Sequence, residues 1–309
     1  MKTIKTALVV LLAMTFSITA QAKKVELRYS LEKGAEVSLI LTNAQEIVQE
    51  VMGQSQATQT GQVMEMKFKV LGITQDGNFQ MARVITKVKI TVSSPMGDVE
   101  FDTDNIEDHN PLAGSLGWLK ETPVEFVMSP FGEILEIKDA DNIAEEFAEK
   151  FSGGGAESQM VMALASQFTS EDGLKQSLSM MLLKYPTTKV KVGKPWETTS
   201  EMKQMISFKN TTSNVVNEVN ADVASLSQEV KIEQGEGDNT MEMQGMEMEY
   251  ELSGGKQGVF EIDLKTGFII KGESITTISG IISIDSPQLP APMSIPMTIK
   301  TTETISRVE

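Results

Sequence analysis

Residues 139–186, DADNIAEEFAEKFSGGGAESQMVMALASQFTSEDGLKQSLSMMLLKYP, form the one long stretch whose apolar residues recur at helical spacing. Ile143, Phe147 and Phe151 fall four apart behind Asp139 and Asp141, whose carboxylates suit the orphan amides and positive end of a helix. Residues 152–155, Ser-Gly-Gly-Gly, stop that helix. Met160, Leu164 and Phe168 predict a second helix over 157–168. Ser170 caps a third, with Glu171 and Asp172 in its first turn, Leu174, Leu178, Met181 and Leu182 on one face, and Pro186 beyond its end. Each helix has a single apolar stripe and is too short to be stable alone, so the stripes must be buried against a sheet.

Strand patterns flank this helical centre on both sides. Residues 25–31 and 64–70 (MEMKFKV) alternate apolar and polar, as half-buried strands do. Residues 37–51 suit a long strand or a helix by length, and their β-branched residues with Asn43 favour the strand. Asp76-Gly77 turns the chain into a second one, 79–92, whose apolar set moves from odd to even positions and so predicts a bulge near Arg83. Residues 98–109 read as a solvated acidic loop, and 124–128 with 134–137 as a hairpin around Pro130-Phe131-Gly132. Beyond the centre, 205–208, 215–223, 230–232, 272–284 and 297–308 read as strands, with the proline-rich 286–296 as a loop or blunted edge.

The two flanks echo one another. Val190-Lys191-Val192-Gly193-Lys194-Pro195-Trp196 parallels Leu31-Glu32-Lys33-Gly34-Ala35-Glu36-Val37, and the hairpin 259–270, turning at Lys265-Thr266-Gly267, parallels 124–137. The expected fold is mainly β (α+β), with curved antiparallel sheets in two related halves and three short helices in the middle. It divides as a signal peptide over 1–22, an N-terminal β half over 23–138, the helical centre over 139–186 and a C-terminal β half over 187–309.

In the expected signal peptide, Lys2 and Lys5 precede an apolar run over 7–16 and the small-x-small site Ala20-Gln21-Ala22. That run is too short to span a bilayer, so we expect a periplasmic or secreted protein that is not membrane-spanning. The chain has no cysteine, hence no acylated N-terminal cysteine and no disulfide. It has 43 acidic and 27 basic residues for a net charge of −16, about −18 without Lys2 and Lys5. Such a surface repels phosphate backbones and disfavours nucleic acid as a partner.

Catalytic side chains are scarce. The single histidine, His109, stands among Glu107, Asp108 and Asn110, with Ser115 nearby in Gly114-Ser115-Leu116-Gly117, but nothing pairs that serine with a base. Asp102, Asp104, Glu107 and Asp108 lack the spacing of a calcium loop. No phosphate loop, dinucleotide fingerprint or zinc spacing occurs, and no cofactor is expected. Asp and Glu abound, which leaves an acid–base hydrolase as a third-ranked reading. Methionine is in excess at 20 residues, including Met241, Met243, Met246 and Met248. Thioethers at Met-x-Met spacing could ligate copper(I), though the intervening Glu residues point the other way on a strand. Flexible, polarizable methionines could equally line a cavity that adapts to apolar ligands. The expected lining is Met64, Met66, Phe68, Met160, Leu164, Phe168, Leu178, Met181, Met246 and Met248.

The runs Leu174-Lys175-Gln176-Ser177-Leu178 up to Tyr185-Pro186, Val192-Gly193-Lys194-Pro195-Trp196 and Asp263-Leu264-Lys265-Thr266-Gly267 resemble a family of exported, uncharacterised bacterial proteins. That resemblance covers most of the chain after residue 22, and implies neither an activity nor functional residues. The architecture is more remotely similar to the half-barrel of periplasmic lipoprotein carriers and related lipid-binding lipoproteins. The expected function is non-enzymatic binding of a lipophilic small molecule, with an envelope scaffold that binds a protein partner as the alternative.

Overall fold

The computed structural model describes residues 24–51, 53–95, 97–105, 111–151, 169–203, 207–235, 239–243, 246–285 and 292–308. The expected signal peptide, His109 and the helix over 157–168, with Met160, Leu164 and Phe168, lie outside these.

The described residues form one antiparallel sheet of thirteen strands and a separate two-stranded ribbon. In chain order the strands are β1 (Lys24–Val25), β2 (Glu36–Val51), β3 (Gln54–Ile73), β4 (Phe79–Ser94), β5 (Gly97–Asp102), β6 (Val124–Met128), β7 (Ile134–Ile137), β8 (Val190–Lys191), β9 (Pro195–Lys203), β10 (Ser207–Asn220), β11 (Val223–Gln234), β12 (Thr240–Met243), β13 (Met246–Asp263), β14 (Ile269–Asp285) and β15 (Met293–Arg307). The large sheet runs β7-β6-β4-β3-β2-β15-β14-β13-β11-β10-β9, with β5 on β4 and β12 on β13. It is curved, and it does not close into a barrel. The described helices are α1 (Pro111–Glu121), α2 (Ala140–Phe151) and α3 (Glu171–Met181).

The two halves are legible in this order. Read in one direction along the sheet, the first half runs β7, β6, β4, β3, β2 from the edge inward, and the second runs β14, β13, β11, β10, β9 from the middle outward. β15 joins them by pairing with both β14 and β2. The sequence echo maps onto equivalent hydrogen bonds, since Gly34 N–H donates to Val70 O of β3 and Gly193 N–H to Val216 O of β10. β2 and β9 each begin two residues after that glycine.

The halves are tied where their hairpin turns meet. Tyr29 N–H donates to Pro130 O at one turn and Ser30 N–H to Thr266 O at the other. The Tyr185 hydroxyl donates to Gly267 O at 2.7 Å, and the Tyr29 hydroxyl to Leu183 O at 3.2 Å. The rings of Tyr29, Tyr185 and Phe268 stack within 5.3–5.4 Å. Gly132 (φ 81°) and Gly267 (φ 82°) turn these hairpins in a region that strains other residues. A Cβ on Gly132 would stand 2.2 Å from Leu183 O, and one on Gly267 2.4 Å from Arg28 O. The tie therefore excludes side chains at both turns.

Some local expectations shift. Residues 97–102 are not loop but β5, because Val99 and Phe101 extend the rungs of Val92 and Ile90. Asp104, expected in the same loop, is clamped by Lys87 at 2.7 Å and Lys120 at 3.1 Å, which hold its carboxyl below the usual range. The phase change in β4 falls at Thr86, where Glu65 pairs Lys87 and Met66 pairs Ile85, and not at Arg83. Residues 215–223 are not one strand, since Ala221 turns the chain with φ 51° between β10 and β11. β15 starts at Met293, inside the proline-rich stretch; Pro296 pairs there with Ile281 beyond the reach of β2, where its missing N–H is tolerated. α1 was hidden because Gly114 and Gly117 dilute its helical signal.

Candidate functional site

Cross-strand register sorts one face of the long sheet into layers, because directly paired residues point to the same side. At the base, Val216, Leu226, Phe260, Ile305, Leu41, Met64 and Val88 share one rung across eight strands, with Gly272 of β14 between Phe260 and Ile305. With the residues below them they form the main core, capped by Leu174, Leu178 and Met181 of α3 and by Ile143 of α2.

The next rung on the same face is polar from β10 to β3, with Asn214, Gln228, Ser274, Glu303, Asn43 and Gln62, Gly258 between Gln228 and Ser274, and it ends on Ile90 of β4. A second mixed rung follows with Val230, Lys256, Thr276, Thr301, Gln45 and Thr60. These side chains satisfy each other. Lys256 Nζ pairs with Glu303 Oε2 at 2.5 Å, Ser274 donates to the same oxygen at 2.9 Å, Gln228 donates to Asn214 at 3.1 Å and Gln45 to Thr301 at 3.3 Å. The pair is partly sheltered, its side chains being 27% and 16% exposed.

Beyond this belt the face turns apolar again. Ile278, Ile299 and Ile47 share a rung, and further out Met248, Ile282 and Ile295 form a second buried cluster with Val51, Tyr250, Ile284, Met293 and Met297 packed on it. Tyr250 O accepts from Gln234, the Tyr250 hydroxyl lies 3.8 Å from Met248 Sδ, and partial burial pushes its pKa up. The inner positions of β14 are half-buried or buried, whereas Ile275 and Ile281 on the outer side are exposed.

The expected lining residues fall into two places. Met64, Met66, Phe68, Leu178 and Met181 lie together in the basal core, all under 5% exposed. Met248 lies in the distal cluster, and Met246 opens β13 opposite Met243. The distal isoleucines Ile282 and Ile295 were not anticipated, although even-spaced Ile278, Ile282 and Ile284 in a strand signal one sheltered face. Two surface depressions, of about 630 and about 410 Å³, are lined chiefly from the opposite face, the first over Ala44 and Gly61 and the second around Val215, Val259 and Ile275.

Among the described residues, no group of three His, Asp or Glu is placed to hold a metal ion. The resolved carboxyl shifts are downward: Glu36 beside Lys69 and Lys67, and Asp104 between its two lysines. Burial pulls Asp263 upward, but the Lys265 amide, Arg307 and Thr266 outweigh it and hold the carboxyl low. Such groups stay ionised and do not serve as acids near neutral pH. No described helix is long and apolar enough to cross a membrane.

Residues 76–269 match a family of unknown function, DUF6263. Among curated proteins none matches the sequence. Similar solved structures include the COG4313 outer membrane channel from Pseudomonas putida F1, at 7% identity, a TM-score of 0.27 and coverage of 91% of this chain and 97% of that one. Another is OccK11 (OpdR) of Pseudomonas aeruginosa, at 7% identity, a TM-score of 0.17 and coverage of 91% and 100%. Scores this low carry no argument about fold or function.

Proposed function

The chain belongs to this family of unknown function, and from that premise we propose that it is an exported, non-enzymatic protein that shelters a lipophilic molecule at the distal end of its inner sheet face. The supporting observation is the apolar cluster of Met248, Ile282 and Ile295, cut off from the main core by the polar belt through Ser274, Glu303 and Asn43. The basal core alone buries the helices and ties the halves, so folding does not require a second oily surface some five rungs away. A strand end that serves no core is ordinarily polar, and a clustered apolar patch there marks a binding surface. Flexible Met248, Met293 and Met297 suit ligands of varied shape. Export rests on the charged head and small-x-small site of residues 1–22.

Titration with the fluorescent probe N-phenyl-1-naphthylamine tests this reading. Wild-type protein should enhance and blue-shift its emission, and Ile282→Asp should abolish the effect while the far-UV spectrum stays unchanged. Absence of enhancement in the wild type, or full enhancement in Ile282→Asp, ends the proposal. Native mass spectrometry of protein purified from its own envelope should show a bound lipid mass. A protein-docking role is favoured instead by Val259 and Ile275, 56% and 44% exposed on the outer face. It predicts crosslinking to one partner, lost in Val259→Glu.

A further inference from the structure

Arg83 is the largest fully buried side chain described, at 1% exposure, and no described carboxylate faces it. It lies on the inner face of β4, paired with Phe68 of β3 and Val124 of β6, with Met81 and Ile85 two residues away on either side. One terminal N–H donates to Ser177 Oγ of α3 at 3.1 Å. The Ser177 hydroxyl itself donates to Leu174 O, so it offers only a neutral oxygen. The Arg83 Nε–H has no acceptor. Burial lowers the pKa of the guanidinium to about 10, which still leaves it charged at neutral pH.

A lone buried cation is among the costliest arrangements a core can hold, and a purely structural role is met more cheaply by an unbranched apolar side chain such as methionine. Its place between sheet and helix, with the Nε–H free, offers a seat for an anion. We infer that Arg83 and Ser177 anchor a monocarboxylate with an apolar body beneath α3, the Nε–H and a terminal N–H donating to its two oxygens. The fork of a guanidinium matches a carboxylate in this way. The apolar body follows from Phe68, Val124, Leu174 and Leu178, which disfavour a doubly charged, strongly hydrated phosphate. This site is separate from the distal one. Phe68 pairs with Val37, twelve residues along β2 from Gln49 of the distal end, a span of about 40 Å.

Isothermal titration of the full chain with decanoate, decanol and inorganic phosphate tests the assignment, with wild type and Arg83→Met compared. Wild type should bind decanoate about tenfold to a hundredfold more tightly than decanol, the ratio that a charged hydrogen-bonded pair supplies, and should not bind phosphate measurably. Arg83→Met should reduce decanoate to the level of decanol, melt no lower than wild type, and keep its response to N-phenyl-1-naphthylamine. Equal affinity of wild type for decanoate and decanol overturns the inference even if Arg83→Met fails to fold, as does unchanged decanoate binding in the variant. A wild type that binds neither decanoate nor decanol overturns it as well. Because the naphthylamine probe reads the distal patch, failure at Arg83 and failure of the distal reading give different results.

Discussion

The basal and distal ends of the same strands are built on opposite terms. At the base, Phe126, Leu174 and Leu178 are fully buried, helices cover the sheet, and two tyrosines hold the hairpin turns, the Tyr29 N–H donating to Pro130 O and the Tyr185 hydroxyl to Gly267 O. At the distal end the buried apolar residues described are Met248, Ile282 and Ile295, with Leu252 one rung inward, and the cluster packs on half-buried neighbours of its own sheet. Between them runs the polar belt with its single sheltered ion pair. Strands long enough to leave the core need a reason to remain apolar on one side, and the belt shows that apolarity was not simply continued outward. The base stabilises the molecule, and the distal end is free to be shaped for something else.

The sharpest way to break this division is truncation at each end. Phe126→Ala should cost about 3–5 kcal/mol, as for other buried aromatics, whereas Ile295→Ala should cost about 1–2 kcal/mol because its site can relax toward solvent. Urea titration measures both, and equal losses would mean that the distal cluster belongs to the folding core. Alkaline titration comes next. Burial first of all raises the pKa of Tyr29 and Tyr185 above their ordinary value of 10.0, so the fold favours their neutral forms. That contribution is complete below pH 10 and is lost as pH rises through the folded values. Stability should fall by about 1.4 kcal/mol per pH unit for each buried tyrosine. Thermal melts from pH 9 to pH 11 check this, and a flat profile would place the tyrosines in contact with water. The smallest effect is expected in the belt. Glu303→Gln leaves Lys256 half-sheltered without its counter-charge and should cost about 1–2 kcal/mol, less than a fully buried break. A neutral result would show that the belt is already wet.

Much of the fold was legible because it rests on short-range rules. Period-two alternation marked residues 64–70, spacing of four marked α2 and α3, and Ser170 caps α3 as its position predicts, accepting from Gly173 N–H at 3.2 Å. The paired glycine turns exposed the internal duplication, because Gly132 and Gly267 are demanded by contacts that no side chain permits. The candidate sites were less legible. Phe68 and Met248 share an alternating pattern, yet register carries one to the core and the other to the far end of the sheet. Arg83 read as the site of a break, since the apolar set moves from odd positions at Phe79 and Met81 to even ones from Val84 onward. The actual bulge is three residues later, and Arg83 is in phase and buried.

From its residues alone the chain determined an antiparallel, helix-centred β architecture in two related halves, because alternation, capping and turn chemistry act over a few positions. Only the tertiary structure decided which apolar residues meet. Layers across eight strands are set by long-range register, and strands distant in sequence, such as β2 and β15, must pair before a belt or a distal patch exists.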